Sequence, residues 1–252
     1  MLQKNCTFYI VHYTLRMKLS IIIPVYNEEK TIGETLKKVL KDKHDKEIIV
    51  VDDGSTDNSQ LITWNLKQKL KLKNLKIILH YKNLGKGAAV RTGIKHATGD
   101  ILLIQDADLE YDPAYYDALL APFVKNKAKV VYGSRLRTIK FKFSGSGKTP
   151  LPFHYLANRF LSQLTNILYG SSLTDMETGY KLLSREVYQK IKLKSLGFDI
   201  EPEMTAKILK AGFKITEVPI STTPRDYADG KKITWKDGVT ALWALVKYKV
   251  VK

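Results

Sequence analysis

Cysteine is almost missing from this chain, since Cys6 is the only one. No disulfide can form within the molecule, and a reduced compartment such as the cytoplasm is the expected setting. Long apolar runs are missing too. No window reaches the roughly 18 to 20 uninterrupted apolar residues that a spanning helix needs, so the chain is not expected to cross a bilayer by itself. The five histidines are scattered without zinc-ligand spacing, and there is neither an internal repeat nor a low-complexity tract. Acids are the scarce charge. The 42 Lys and Arg against 25 Asp and Glu leave +17, which implies an anionic partner: nucleic acid, an anionic membrane surface or phosphorylated ligands.

At 252 residues and 44% hydrophobic content there is room for one large α/β domain or two small ones, and one domain plus an appendage is expected. Residues 1–16 hold Lys4, His12 and Arg16 among apolar residues but lack a clean apolar core and a small-residue cleavage site. They read as an extension ahead of a natural start near Met17, with a degenerate targeting segment as the alternative.

Strands and helices alternate along the first half. Residues 19–25 are a β-branched run closed by Pro24 and Asn27, and 31–40 carry apolar residues at helical spacing. Apolar runs recur at 47–51, 75–79 and 100–105, with helices expected over 59–71 and 88–96. Strands so uniformly apolar argue for a parallel sheet covered on both faces, whose ligands bind at the carboxyl ends of the strands. In the second half a strand is expected at 129–133, a basic loop with Gly145, Gly147 and Pro150 at 137–152, and a helix at 153–169 with Leu156, Phe160, Leu164 and Ile167 in phase. A helix over 198–212 bears Glu201 and Glu203, and a late strand covers 213–220. A terminal helix over 235–252 has Trp235, Val239, Leu242 and Val246 on one face and lysines elsewhere.

The chemistry gathers where apolar runs end. After 101–104 come Asp106, Ala107, Asp108, Leu109 and Glu110. In an extended segment residues i and i+2 share a face, so Asp106 and Asp108 can converge on one hard cation. Mg²⁺ or Mn²⁺ held this way keeps open positions for the phosphate oxygens of a nucleotide diphosphate. The bland alternative is a strand-end turn with solvated acids. IIIPVYNEE puts Asn27, Glu28 and Glu29 after the first strand, to bind a base or ribose or to cap the next helix. VVDDGSTDNS places Asp52 and Asp53 after the second, with Ser55, Asp57 and Ser59 as potential caps. NLGKGAAVRTG supplies glycines for close backbone approach and the cation Lys86, or simply a tight turn.

These four strings, in this order and spacing, resemble glycosyltransferase family 2, and VYGSR, TDMETGYKLLSREV, GFDIEPEM and EVPISTTPRDYADGKKITWKDG resemble its branch of dolichyl-phosphate mannose and glucose synthases. The resemblance covers about residues 18–240. It implies a GT-A (Rossmann-like) α/β fold, a mostly parallel sheet with helices on both faces, occupying 17–230, followed by an amphipathic basic helix at 231–252. It also implies that Pro24, Tyr26, Glu28 and Asp53 hold the nucleoside of a UDP- or GDP-hexose, with Lys86 nearby. Asp106 would meet the donor sugar or the metal, Asp108 would be the firmest metal ligand, and Glu110 stands where many relatives have Gln. Arg135, Arg225 and Lys231 would cradle phosphates, so that Asp106, Asp108, Arg135 and Arg225 form the catalytic set.

A polyprenyl phosphate acceptor, with a second pKa near 6, is already largely anionic at neutral pH and needs no general base. Its oxygen would attack the anomeric carbon, with inversion implied by the resemblance. Glu201 and Glu203 are left for sugar hydroxyls or a structural helix face. The 153–169 helix and the terminal helix could lie in the headgroup plane of the cytoplasmic membrane face, or cover the sheet. Several relatives continue into transmembrane helices where this sequence ends, so peripheral attachment or a separate membrane-anchoring protein is expected. The rival readings are a hydroxyl or soluble-glycan acceptor, a noncatalytic partner-binding relative, and a basic nucleic-acid-binding domain. The last leaves three acid clusters at strand ends without explanation, and no nucleic-acid partner is expected.

Overall fold

A computed structural model of the chain describes residues 17–138, 152–225 and 235–251. The 1–16 extension, all but the ends of the 137–152 loop, and Lys231 lie outside the described residues.

The elements follow the apolar periodicity. The chain runs β1 (Leu19–Val25), α1 (Ile32–Lys41), β2 (Lys46–Asp52), α2 (Ser59–Lys69), β3 (Leu75–Leu79), α3 (Lys86–His96) and β4 (Ile101–Ile104). A 3₁₀ turn (Pro113–Tyr115) leads into α4 (Tyr116–Lys125) and β5 (Val130–Ser134). Then come α5 (Pro152–Tyr169), β6 (Lys181–Ser184), α6 (Arg185–Lys190), α7 (Ile200–Lys210), β7 (Ile215–Pro219) and α8 (Trp235–Val250).

Among the described residues one seven-stranded sheet has the order β3-β2-β1-β4-β6-β5-β7. β1 lies parallel to both β2 and β4, and β5 is parallel to β7. The sheet is mostly parallel, as expected, and the exception is β6, which runs antiparallel to both β4 and β5. A four-residue strand followed at once by a helix start at Arg185 carries too short a pattern to be read in sequence. Helix α4 also escaped the sequence reading, and its Pro122 interrupts an otherwise helical segment.

The strands alternate faces with period two; the inner ones are buried on both, while the edge strands β3 and β7 are partly exposed. Ile21 and Ile23 of β1 pack with Ile32, Leu36 and Val39 of α1 and Leu119 and Leu120 of α4. Ile22 faces the other way, with Val90 of α3 and Ile200, Met204 and Ile208 of α7. At roughly 1.5–3 kcal/mol per buried aliphatic side chain, these two layers supply the main drive to fold. The chain builds outward from β1 through β2 to β3 and then returns to the opposite side of β1 as β4. That reversal opens a crevice beyond the carboxyl ends of β1 and β4, where ligands of open α/β sheets bind.

Two helices present faces that periodicity alone assigned incompletely. On α5 the residues buried are Leu161, Ser162 and Thr165, whereas Leu156, Phe160 and Ile167 point outward. On α8 Ala241, Ala244, Leu245 and Tyr248 are buried, while Val239, Leu242, Trp243 and Val246 are exposed. Each helix carries apolar residues on two faces, and spacing does not say which one packs inward, where the two helices meet each other and α7.

Candidate active site

The crevice widens into a cavity of about 860 Å³. Pro24, Tyr26 and Glu28 enter it from the end of β1, Asp53 from β2, Lys86 from the start of α3, and Asp106, Asp108 and Glu110 from the turn after β4. Arg135, after β5, and Arg225, beyond β7, complete the set, so ten of the sequence-derived candidates line one space. The cavity wall is closed by His154, Ala157, Asn158 and Leu161 of α5, Glu201 of α7, and Asp237, Gly238 and Ala241 of α8.

Local geometry explains each placement. Gly85 sits at φ 99°, a left-handed region open to glycine, and turns the chain into α3 so that Lys86 faces inward. Asp53 accepts from the Leu84 and Gly85 amides at 3.0 and 2.7 Å and stands 2.6 Å from His80 Nδ1, whose Nε2 lies 2.9 Å from Thr92 Oγ1. Asp52 caps the Ser55 amide at 2.8 Å. Around Glu28, the neighbouring residues are structural. Asn27 accepts from the Thr56 amide, Glu29 from the Asn58 amide, and the Glu28 and Glu29 amides donate to Ser59 Oγ and Asp57 Oδ2. These bonds tie the loop after β1 to the loop before α2 and cap neither helix from Asn27, Glu29 or Ser59; Asp57 alone also accepts at a helix start, from the Ser59 amide at 2.9 Å, while Glu28 reaches the cavity.

Residues 105–110 form a turn rather than an extended segment, with Leu109 held at φ 64°. The i, i+2 rule for strands does not govern Asp106 and Asp108, which turn to two different cations. Asp106 Oδ1 lies 2.8 Å from Lys86 Nζ, and Lys86 is also 3.1 Å from Glu201 Oε1. Arg225 Nη2 donates to Asp108 Oδ2 at 3.0 Å, and its guanidinium spans both oxygens of Glu28 at 3.0 and 3.2 Å. Among the described residues no three His, Cys, Asp or Glu side chains stand together as a ready-made metal cage. Electrostatically the acids still feel one another. Burial, then the charges of Asp106 and Glu110, push the Asp108 carboxyl up to about 7 against the opposing pull of Arg225. Burial disfavours the Lys86 ammonium, but Asp106 and Glu201 outweigh it and hold Lys86 well above the usual lysine range.

Arg135 is not a free cation either. Asp175, fully buried, takes its Nε and Nη2 at 2.8 Å each and its backbone amide at 2.9 Å. Glu201 ion-pairs with the buried Lys181, which also donates to the Met176 and Thr178 carbonyls. Although burial opposes it, these lysines keep the Glu201 carboxyl below its ordinary value. Glu203 accepts from the Lys194 and Ser195 amides and pairs with Lys207, so it is a structural acid. Asp175, Lys181, Glu177 and Gly179 were missed as site residues. All four lie within TDMETGYK, a string whose family likeness marks it but whose spacing assigns no roles. At Gly179 a Cβ would collide with Asp106 Oδ2 and the Tyr111 ring, so only glycine lets this turn approach the acid. Burial pushes the cavity-lining Glu177 up to about 7, and its Oε1 is sealed from solvent without a hydrogen-bond partner.

Residues 20–192 match the model of the family described as glycosyl transferase family 2. An uncharacterized protein of Methanocaldococcus jannaschii is 30% identical over 238 residues, covering 92% of this chain and 93% of its own. The dolichol-phosphate mannosyltransferase of Pyrococcus furiosus is 30% identical over 226 residues, covering 85% of this chain, which spans only 59% of that relative's length. In fold, the crystal structure of glucosyl-3-phosphoglycerate synthase from Mycobacterium tuberculosis in complex with Mn²⁺, UDP and glucosyl-3-phosphoglycerate superposes with a TM-score of 0.69. The identity there is 16%, over 98% of this chain and 85% of that one.

Proposed function

The chain belongs to glycosyl transferase family 2 and has the GT-A fold, and from that premise we propose that it moves a hexose, mannose or glucose, from a nucleotide diphosphate sugar to a polyprenyl or dolichyl phosphate. One observation carries this reading most. A single cavity at the sheet's switch point holds strand-end acids for a nucleoside and a cation beside Lys86, Arg135 and Arg225 for phosphates. The dolichol-phosphate mannosyltransferase of Pyrococcus furiosus, as a relative, supports the acceptor class, and the Mn²⁺ and UDP bound by the Mycobacterium synthase support a metal-dependent nucleotide-sugar donor.

The acids fit Mg²⁺ or Mn²⁺. Burial and the neighbouring charges of Asp106 and Glu110 make Asp108 hard to ionise without added positive charge, and such ions commonly use only one or two protein carboxylates plus substrate phosphates. Asp106 and Asp108, with Glu110 beside them, would hold the ion, whose charge would stabilise the departing diphosphate.

The chain's own residues do the rest. Glu28 and Asp53 bracket the nucleoside end of the cavity. Lys86, pinned between Asp106 and Glu201, places a permanent positive charge beside the first acid. Arg135, locked by its Asp175 fork, presents a preorganised cation to an acceptor phosphate. An acceptor phosphate oxygen forms the new bond to the anomeric carbon while the bond to the nucleoside diphosphate breaks and its electron pair leaves with that group. No proton has to move. Glu201, held ionised by two lysines, and Glu203, committed to amides, are poor general bases, as this acceptor allows.

The outward faces of α5 and α8 fit a bilayer surface. Both helices line the cavity with one side and expose Leu156, Phe160, Ile167, Val239, Leu242 and Trp243 on the other. At about 100° per residue, Lys247 and Lys249 flank the α8 stripe, the arrangement of a helix lying in a headgroup layer. Among the described residues no helix is long and apolar enough to cross a membrane, consistent with peripheral attachment.

A hydroxyl acceptor is the second reading, favoured by Glu177, whose carboxyl near 7 would suit a general base. The deciding experiment offers radiolabelled UDP- and GDP-hexoses with a short polyprenyl phosphate, or with a soluble glycan. Label in the organic phase from the native chain and none from Asp108→Ala supports the proposal. Transfer to the glycan alone, abolished by Glu177→Gln, would replace it with the second reading.

A further inference from the structure

Arg225 was expected to face phosphate, yet every contact described for its guanidinium is to acid. Its two Nη atoms span Glu28 and reach Asp108. Its backbone amide donates to Glu110 Oε1 at 3.0 Å, and Thr223 N donates to the Glu110 carbonyl at 3.2 Å, so the segment is tied down beside the acidic turn. Its Nε, 4.0 Å from Glu110 Oε1, is buried without a hydrogen-bond partner. One monovalent cation thus sits among three carboxylates, with a donor to spare.

We propose that Arg225 is the ligand-free chain's own counter-ion for Asp108, and that its displacement makes divalent-ion binding depend on nucleotide binding. The inference rests on the donor reading given above. A dication at Asp108 repels a guanidinium 3.0 Å from the same carboxylate oxygen. Metal alone must therefore dislodge Arg225 without offering it a new partner. Diphosphate alone meets Glu28, Asp108 and Glu110 as neighbouring negative charges. Together the two resolve the conflict, because the ion takes Asp108 while Arg225, anchored by its backbone, turns its fork to phosphate oxygens. Lys86 has no such choice to make, being held on its far side by Glu201. The coupling is reciprocal: nucleotide tightens metal, and metal tightens nucleotide by the same factor.

Direct bridging of metal to diphosphate would also couple the two ligands, but it leaves the affinity for metal alone indifferent to Arg225. The test is Mn²⁺ binding to the full chain, followed by the electron paramagnetic resonance of the free ion, with and without UDP or GDP. Without nucleotide, Arg225→Met is expected to bind Mn²⁺ at least tenfold tighter than the native chain, with the nucleotide-induced gain reduced by the same factor. Arg137→Met, which removes an exposed charge that bonds the Glu217 carbonyl and no acid of the turn, is expected to change neither. A folded Arg225→Met no tighter for Mn²⁺ than native overturns the proposal. Should that variant not fold, the native chain answers through the Arg225 Nε–H resonance, assigned by its loss in Arg225→Lys. It is expected to move only when Mg²⁺ and nucleotide are both present, and movement with Mg²⁺ alone, or none with both, rules the displacement out. A native chain that binds neither ion nor nucleotide in any combination removes the donor reading itself, whereas normal joint binding with an affinity for Mn²⁺ alone that is unaltered in Arg225→Met removes this inference alone.

Discussion

Glu177 is the residue on which pH acts most plainly. Its carboxyl, ordinarily near 4.5, is raised to about 7, chiefly by burial. Between those values the unfolded chain has released the proton and the folded chain retains it, so folding takes up a proton and stability falls as pH rises across the window. The contribution is fully favourable below about 4.5 and is lost by about 7. Glu177→Gln has no proton to lose, so its stability relative to native is expected to rise by roughly 3 kcal/mol between the two ends of that window. Urea unfolding at pH 4.5 and pH 8 measures this, and a constant difference between the two chains would contradict it. Asp108 belongs to the same scale with a different readout. Asp108→Ala is expected to lower kcat/KM for hexose transfer by about a hundredfold or more, the size seen when one charge-stabilising group is removed from an active site. Initial rates at subsaturating donor give that figure directly.

At the scale of elements, the two helices that wall the cavity decide how an acceptor could arrive. α8 packs through Ala241, Ala244, Leu245 and Tyr248, and Tyr169 of α5 donates to the Leu245 carbonyl at 2.7 Å. Its outward residues are the more open ones, with Trp243 64% exposed. Leu242→Ser with Trp243→Ser is therefore expected to leave the melting temperature nearly unchanged while lowering association with phosphatidylglycerol vesicles by about tenfold, since binding at an interface scales with the apolar area inserted. Flotation on a density gradient reports it. Retained flotation with altered oligomeric state would instead assign this face to contact between copies of the chain.

For the whole molecule the excess of 17 positive charges sets the long-range behaviour. Spread over exposed lysines, this charge attracts anionic surfaces through a field that decays over about 8 Å at physiological salt. Vesicle association is expected to fall steeply between 50 and 500 mM NaCl, whereas Mn²⁺–nucleotide binding in the cavity, held by short-range contacts, is expected to fall much less. Titrations of both at the two salt concentrations check the contrast.

How much of this was legible in the sequence depends on the range of the interaction that fixes each feature. β1 to β4, the helices between them and the strand-end placement of Asp53, Lys86 and Asp106 follow from local periodicity and turn chemistry, which act over a few residues. That is why the residues that line this half of the cavity could be read from four short strings. β6, four residues long and antiparallel, is held by neighbours far along the chain, and α4 contains a proline that local pattern counts against. The pairing of Arg135 with Asp175, of Lys181 with Glu201 and of Arg225 with Glu28 and Asp108 joins residues up to 197 positions apart. The sequence by itself determined the fold class, the family resemblance and the chemical types gathered at the strand ends. Only the tertiary structure decided which cation neutralises which acid and which apolar face of α5 and α8 turns outward, because Coulomb and packing energies depend on distances that close only when the sheet is assembled.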